Sequence, residues 1–222
     1  MSLDRWTTVD NYYSNLLMPP DAVLESALQR SNEAELPAIN VAANQGKMLM
    51  LFAQMQKAVR VLEIGTLGGY STIWLARALP AHGKLITLEY EQKHADVASA
   101  NIKHAGFADK VEIRVGSAID TLPALVKEGC APFDLIFIDA DKPGYPEYFK
   151  WSMKLSRPGT VIIADNVVRD GEVVNPDSED ERVQGIRKFN EVVTSEKRFS
   201  ATAIQTVGAK GYDGFIIGVV TD

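Results

Sequence analysis

From residue 59 onward the apolar positions fall into short β-branched runs separated by longer stretches with helical spacing. Residues 59–64 are apolar apart from Arg60 and Glu63, and a glycine-rich turn, Gly65-Thr66-Leu67-Gly68-Gly69, leads into a helix over 70–79. The cycle repeats with a strand over 84–88 ending at Glu89, a helix over 92–104 stopped at Gly106, a strand over 111–115, and a helix that follows Gly116-Ser117-Ala118 to about residue 127. A fourth run, Leu135-Ile136-Phe137-Ile138, has no polar face, as a strand covered on both sides requires. A helix over 145–155 and the turn Arg157-Pro158-Gly159 precede a fifth run, Thr160-Val161-Ile162-Ile163-Ala164. The polar, acidic stretch 169–181 reads as a mobile loop, 182–196 as a helix, and 199–206 and 214–220 as two strands suited to antiparallel pairing. Five strand–helix units and a terminal pair predict an α/β fold with a doubly wound, mainly parallel, seven-stranded sheet.

Residues 1–58 show no strand pattern. A helix is expected over 21–28, with Asp21 as its N-cap after Pro19-Pro20, and another over 44–56, where Met48, Leu49, Leu51, Phe52 and Met55 make a broad apolar face. These helices precede the first strand, so they are expected to lie across the sheet or against a partner subunit. With no repeat, low-complexity tract or linker, residues 1–222 read as one domain, and 1–58 as its helical extension. A chain of 222 residues, 46% hydrophobic, is long enough for a full core.

Charge narrows the function classes. The net charge of −6 and the lack of a basic cluster argue against a nucleic-acid-binding surface. No apolar stretch approaches the roughly 18 residues of a membrane helix. No apolar segment follows Met1-Ser2-Leu3-Asp4-Arg5 as a secretion signal would require. Cys130 is the only cysteine, so no intrachain disulfide can form; it reads as a space-filling residue, and the protein as cytoplasmic.

The chemistry concentrates after the fourth and fifth strands, at Asp139-Ala140-Asp141-Lys142 and Asp165-Asn166. Ligands of open α/β sheets bind beyond the carboxyl ends of the strands. If these two strands are neighbours, their tips lie about 5 Å apart. Asp139, Asp165 and Asn166 would then hold one oxygen-loving cation with Lys142 beside it. Magnesium suits such a set, with manganese or calcium as alternatives, and the lack of cysteine or histidine nearby in sequence argues against zinc. His82, His94 and His104 read as surface residues away from the strand tips.

At the other end, the glycine turn departs from the dinucleotide pattern, since Thr66 and Leu67 stand between Gly65 and Gly68. Glu63, inside an apolar strand, must face a cation or several donors. Glu89 follows Gly69 by 20 residues and ends a strand, where a carboxylate accepts hydrogen bonds from both hydroxyls of a ribose. A nicotinamide-dependent oxidoreductase would use Glu89 but leaves the second acidic set without a role. A non-catalytic cofactor-binding protein is a further alternative.

Together, Glu63-Ile64-Gly65-Thr66-Leu67-Gly68-Gly69-Tyr70-Ser71, Glu89, Asp139-Ala140-Asp141-Lys142 and Asp165-Asn166 resemble the cation-dependent O-methyltransferases, the group of the catechol and caffeoyl-CoA O-methyltransferases. The resemblance runs from about residue 36 to the C-terminus and carries four motifs in order. It implies a Rossmann-like methyltransferase fold that holds S-adenosylmethionine at the glycine turn. It places Glu89 on the ribose, and Glu63, Gly65 and Ser71 at the methionine end. Thr66, Val41, Ala118 and Asp139 complete the implied cofactor set; Ala118 stands where some relatives have serine, so only a backbone or packing contact carries over. Lys142 and Asp139 are the implied catalytic residues, and a homodimer is implied by the caffeoyl-CoA relatives. Those relatives also have an acid at the position of Asp141. No basic cluster for a coenzyme A tail stands near the N-terminus, which favours a small catechol-like acceptor. Tyr212 and Asp213 either reach that acceptor or form an ordinary turn.

The implied chemistry is physically coherent. A phenol titrates near 10, so roughly one in a thousand is ionised at neutral pH. A dication favours the oxyanion and fixes it in place. Alignment for in-line attack on the sulfonium methyl, an SN2 displacement, is worth roughly 7–11 kcal/mol in favourable cases. Lys142 is expected to take the hydroxyl proton, its ammonium form being disfavoured by a nearby metal and sulfonium.

Overall fold

A computed structural model describes residues 2–222. Seven strands form one sheet: β1 (Arg60–Ile64), β2 (Lys84–Glu89), β3 (Val111–Val115), β4 (Leu135–Ile138), β5 (Val161–Asp165), β6 (Phe199–Gly208) and β7 (Gly211–Val220). Their spatial order is β3-β2-β1-β4-β5-β7-β6. The first five are parallel, and β7 runs antiparallel to both β5 and β6. The strand order reverses between β1 and β4, the point at which open α/β sheets leave a crevice.

Among the described residues, eight α-helices surround the sheet: α1 (Leu3–Leu17), α2 (Ala22–Glu33), α3 (Ala43–Met55), α4 (Tyr70–Ala78), α5 (Gln92–His104), α6 (Ala118–Lys127), α7 (Tyr145–Lys154) and α8 (Glu181–Ser195). The period of two along each strand divides the core into two layers. Leu62, Ile64, Ile136, Ile138 and Ile162 pack with side chains of α6, α7 and α8, including Leu122, Phe149 and Phe189. Val61, Leu85, Leu135, Phe137 and Ile163 pack on the opposite face with α2, α3, α4 and α5. The uninterrupted apolar run of β4 follows from this, since all four of its residues are buried. Asp21 caps α2 by accepting from Leu24 N at 3.1 Å, as expected, and also pairs with Arg77 of α4 at 2.5 Å.

Two glycines bring distant segments together. Gly65 has φ +102°, and a Cβ there would stand 2.0 Å from the carbonyl oxygen of Asp139. The turn after β1 therefore rests directly on the tip of β4, and only glycine fits. Gly185 lets α8 approach the Lys142 carbonyl, where a Cβ would come within 2.4 Å.

The structure differs from the pattern-based reading in three places. Helix α1 was not foreseen; none of its residues is buried, so it lacks the core-facing stripe that periodicity detects. The segment expected to be a loop opens with a 3₁₀ stretch, Arg169–Val174, in which Arg169, Asp170 and Gly171 have φ of 56°, 55° and 90°. The β6–β7 hairpin is longer than its apolar stretches, because ladder pairing extends to Gly208 opposite Gly211.

Candidate active site

The parallel register of β4 and β5 aligns Ile138 with Ala164, which sets Asp139 and Asp165 side by side at the carboxyl end of the sheet. Asp165 is buried. Its Oδ1 accepts from Asn166 N at 2.8 Å and its Oδ2 from Gln45 Nε2 at 2.5 Å. Burial, and then the charge of Asp139, push the Asp165 carboxyl up to about 7. Asn166 has φ 57°, a left-handed conformation that asparagine tolerates better than most residues.

Lys142 is also buried. Its Nζ donates to Asp139 Oδ1 at 3.1 Å and to the Tyr145 hydroxyl at 2.7 Å. Its amine is directed at Asp139 and not at Asp141, one residue before it in the chain. Asp141 instead accepts from Gly144 N at 3.0 Å and from the Tyr148 hydroxyl at 2.5 Å, closing the 3₁₀ turn Lys142–Gly144. Tyr145, fully buried, has its hydroxyl 3.1 Å from Ile138 O and 3.0 Å from Asp165 O, so one side chain touches the backbone of both strand tips. Burial, reinforced by Asp139 and Asp165, holds its phenol well above the usual range.

Among the described residues, no group of three or more histidine, cysteine, aspartate or glutamate side chains comes together. The set at the two tips is two carboxylates with the Asn166 amide, and all of its donors are oxygen. That chemistry fits a hard dication rather than zinc. The fit also has an electrostatic reason: burial and then the charge of Asp139 raise the cost of ionising Asp165, and a dication would offset that cost.

At the cofactor end, Glu89 lies at the tip of β2. Its Oε2 accepts from Thr66 N at 3.2 Å and Leu67 N at 2.8 Å, and its Oε1 from Glu91 N at 3.0 Å. It thus holds the glycine turn in shape. His94, expected at the surface and away from the tips, is half-buried with Nδ1 3.4 Å from Glu89 Oε1. The first turn of α5 folds back beside β2 and carries it there. His82 and His104 are exposed, as expected.

Glu63 is wholly buried and faces donors rather than a cation. It accepts from Ser71 Oγ at 2.6 Å, Thr72 Oγ1 at 2.5 Å and Thr87 Oγ1 at 2.7 Å. The Thr66 and Thr87 hydroxyls lie 2.6 Å apart, extending the same network. Burial raises the Glu63 carboxyl from 4.5 to about 7 despite these bonds. The folded state therefore favours the protonated form, and stability on the order of 3 kcal/mol is lost as pH rises from about 4.5 through about 7. Glu63→Gln is expected to remove this share of the slope. Urea unfolding at about pH 5 and about pH 8 should show the variant gaining on the parent at the higher pH; an unchanged difference between the two would refute the assignment.

Val41 is buried in the segment before α3, beside a cavity of about 430 Å³ that Asn40, Leu67, Gly68 and Tyr70 also line. Ala118 opens α6 and is half-buried against the core. Asp213 Oδ1 accepts from Val168 N at 2.9 Å and Arg169 N at 3.0 Å, which braces the segment after β5. The Tyr212 hydroxyl donates to Gln205 Oε1. Both lie in β7, where Tyr212 pairs with Val207 and Asp213 with Thr206, so neither belongs to the ordinary turn that the sequence offered as one reading.

Three residues near these groups escaped the sequence reading. Tyr145 left a trace in its spacing, three residues after Lys142 at the start of a helix. His94 sits five residues after Glu89, which placed it close by. Gln45 left none, since 120 residues separate it from Asp165.

A family model described as O-methyltransferase matches residues 19–214. A catechol O-methyltransferase of Niastella koreensis is 55% identical over 220 residues, covering 99% of this chain and all of that protein. Among solved structures, the O-methyltransferase of Bacillus cereus, in complex with S-adenosylhomocysteine, superposes with a TM-score of 0.98 at 57% identity, over 99% of this chain and 100% of the other. The O-methyltransferase of Streptomyces achromogenes involved in tomaymycin synthesis, in complex with S-adenosylmethionine, gives 0.96 at 51% identity with both chains fully covered. Parallel sheet, glycine turn and acidic strand tips thus define a methyltransferase of the S-adenosylmethionine-dependent class. The chain belongs to the O-methyltransferase family. This sets aside the nicotinamide reading of Glu89.

Proposed function

We propose that this O-methyltransferase transfers the methyl group of S-adenosylmethionine to one hydroxyl of a small aromatic vicinal diol, with magnesium, or manganese or calcium in its place, held by Asp139, Asp165 and Asn166. The observation that carries the reading is the buried Lys142 amine at 3.1 Å from Asp139, on strand tips that the Gly65 turn touches. The relative named catechol O-methyltransferase supports the acceptor class.

In this reading Lys142 Nζ takes the proton of the attacking hydroxyl. Asp139 and Tyr145 keep the amine in place for that transfer. A bound dication supplies charge that favours the ionised acceptor oxygen. Glu89, already accepting three backbone bonds in the turn, keeps one lone-pair direction, on Oε1, for a ribose hydroxyl. Glu63, Gly65 and Ser71 stand at the methionine end, and Thr66, Val41, Ala118 and Asp139 complete the cofactor set. The oxygen–carbon bond forms as the sulfur–carbon bond breaks, leaving a methyl ether and S-adenosylhomocysteine.

The test is an acceptor screen on protein freed of metal by a chelator. Vicinal-diol aromatics are expected to be methylated when magnesium is returned, and single phenols poorly. Equal rates with the chelator present would overturn the cation requirement.

The assembly reading rests on surface chemistry. Helix α1 buries nothing, yet carries Tyr12, Tyr13, Leu16 and Leu17, each more than half exposed. Strand β6 forms the sheet edge and exposes Ile204 and Val207. An uncovered apolar surface of this kind is a liability in a monomer. We therefore read the whole chain as one catalytic domain that pairs as a homodimer, with residues 1–58 as its helical extension. Light scattering at micromolar concentration should give twice the chain mass; a monomer would refute it. No helix of the described residues is long and apolar enough to cross a membrane. The single cysteine is in keeping with a cytoplasmic location.

A further inference from the structure

We propose that Gln45 is a positioning residue of the cation site, fixing how Asp165 presents itself to the ion; this rests on the cation reading above. An ionised carboxylate has about four lone-pair directions. In Asp165, Asn166 N takes one on Oδ1 at 2.8 Å and Gln45 Nε2 takes one on Oδ2 at 2.5 Å. Each oxygen keeps a lone pair, and the two donors together fix the plane of the group. Without Gln45 only Oδ1 is tethered, by the backbone of the next residue, and the buried carboxylate is free to turn about its terminal bond.

Gln45 is itself held from several directions. Its backbone N–H donates to Asn44 Oδ1 at 2.9 Å, and Asn44 Nδ2 donates to Asp10 Oδ1 of α1 at 2.9 Å. Asp10 Oδ2 accepts from Ala209 N, at the tip of the β6–β7 hairpin, at 2.7 Å. On the other side, Gly46 is packed so tightly on Trp74 that a Cβ would come within 2.3 Å of the indole. The first turn of α3 therefore has little room to shift, and Gln45 delivers its amide to Asp165 from a fixed base. A helix whose sequence shows only a packing face thereby reaches the chemistry through its N-terminal turn.

Partners that orient metal ligands in this way are typically worth about 10- to 100-fold in metal affinity. The experiment is a titration of the full chain with manganese alone, free ion read by electron paramagnetic resonance, with no acceptor and no cofactor. Gln45→Met keeps the side-chain volume and removes the donor, and the site is half-buried in the first turn of a helix, so the fold should hold; Gln45→Ala is the second variant. Both are expected to weaken manganese binding by about 10- to 100-fold, while S-adenosylhomocysteine affinity in the presence of a chelator stays at the parental value. Parental manganese affinity in both variants, or tighter binding, would overturn the proposal and leave the cation reading intact. Equal loss of manganese and S-adenosylhomocysteine binding would also overturn it, since it would mean general loosening. Absence of manganese binding in the parent protein would instead remove the cation reading itself.

Discussion

Lys142→Met is expected to lower turnover by about 10²- to 10⁴-fold, the range a positioned general base supplies. Methionine keeps a long apolar stem in the buried position and removes only the amine. Two acceptors lose their donor: Asp139 Oδ1, now 3.1 Å from Nζ, and the Tyr145 oxygen, at 2.7 Å. Stability should fall by about 1–3 kcal/mol for the unpaired groups. The decisive measurement is single-turnover methyl transfer at saturating cofactor and acceptor, beside calorimetric binding of S-adenosylhomocysteine. A large fall in the first with none in the second assigns Lys142 to proton removal. Near-parental turnover would reduce it to an ion-pair partner of Asp139.

Asp139→Ala should be the more damaging change, because Asp139 takes part in three things at once. It is one of the two facing carboxylates, the hydrogen-bond partner of Lys142, and the residue whose carbonyl the Gly65 turn touches. The backbone contact survives the substitution and the other two do not. Activity is expected to fall by more than the roughly 10- to 100-fold that supporting residues cost, and added magnesium should not restore it. Asp165 would at the same time lose the neighbour that, after burial, raises its carboxyl most, and should ionise at lower pH. Direct metal titration provides the check. If the variant binds manganese as the parent does, or the parent turns over equally in a chelator, the two-strand cation site is wrong.

How much of this was legible from residues alone varies by level. The parallel sheet was readable because β1, β4 and β5 are buried on both faces, which forces apolar runs ended by glycine or acid, broken in β1 only by Glu63 after its opening Arg60. The acidic tips were readable for the same reason: a charge at the end of such a run has nowhere to lie except the sheet's carboxyl edge. Glu63 was correctly singled out as a buried carboxylate in need of partners. Its partners, three hydroxyls from β2 and α4, were not readable, because hydroxyl residues in strands and helices have many other uses. The surface reading of His94 failed because it borders the buried face of α5, which carries Ala95, Ala98 and Ile102, and its ring meets Glu89 at the end of β2.

Local order of apolar and polar residues therefore determined the strands, most of the helices, the glycine turn and the acids that end β2, β4 and β5, since each reflects burial of a residue against its immediate neighbours. Tertiary structure alone decided that β4 and β5 are adjacent and that Lys142 turns to Asp139 rather than Asp141. It also decided that Tyr145 joins both tips and that Gln45 reaches Asp165 across 120 residues. Those contacts depend on strand order and helix docking, which are set by the packing of the whole core, and no periodicity along the chain encodes a distance between segments that meet only after folding.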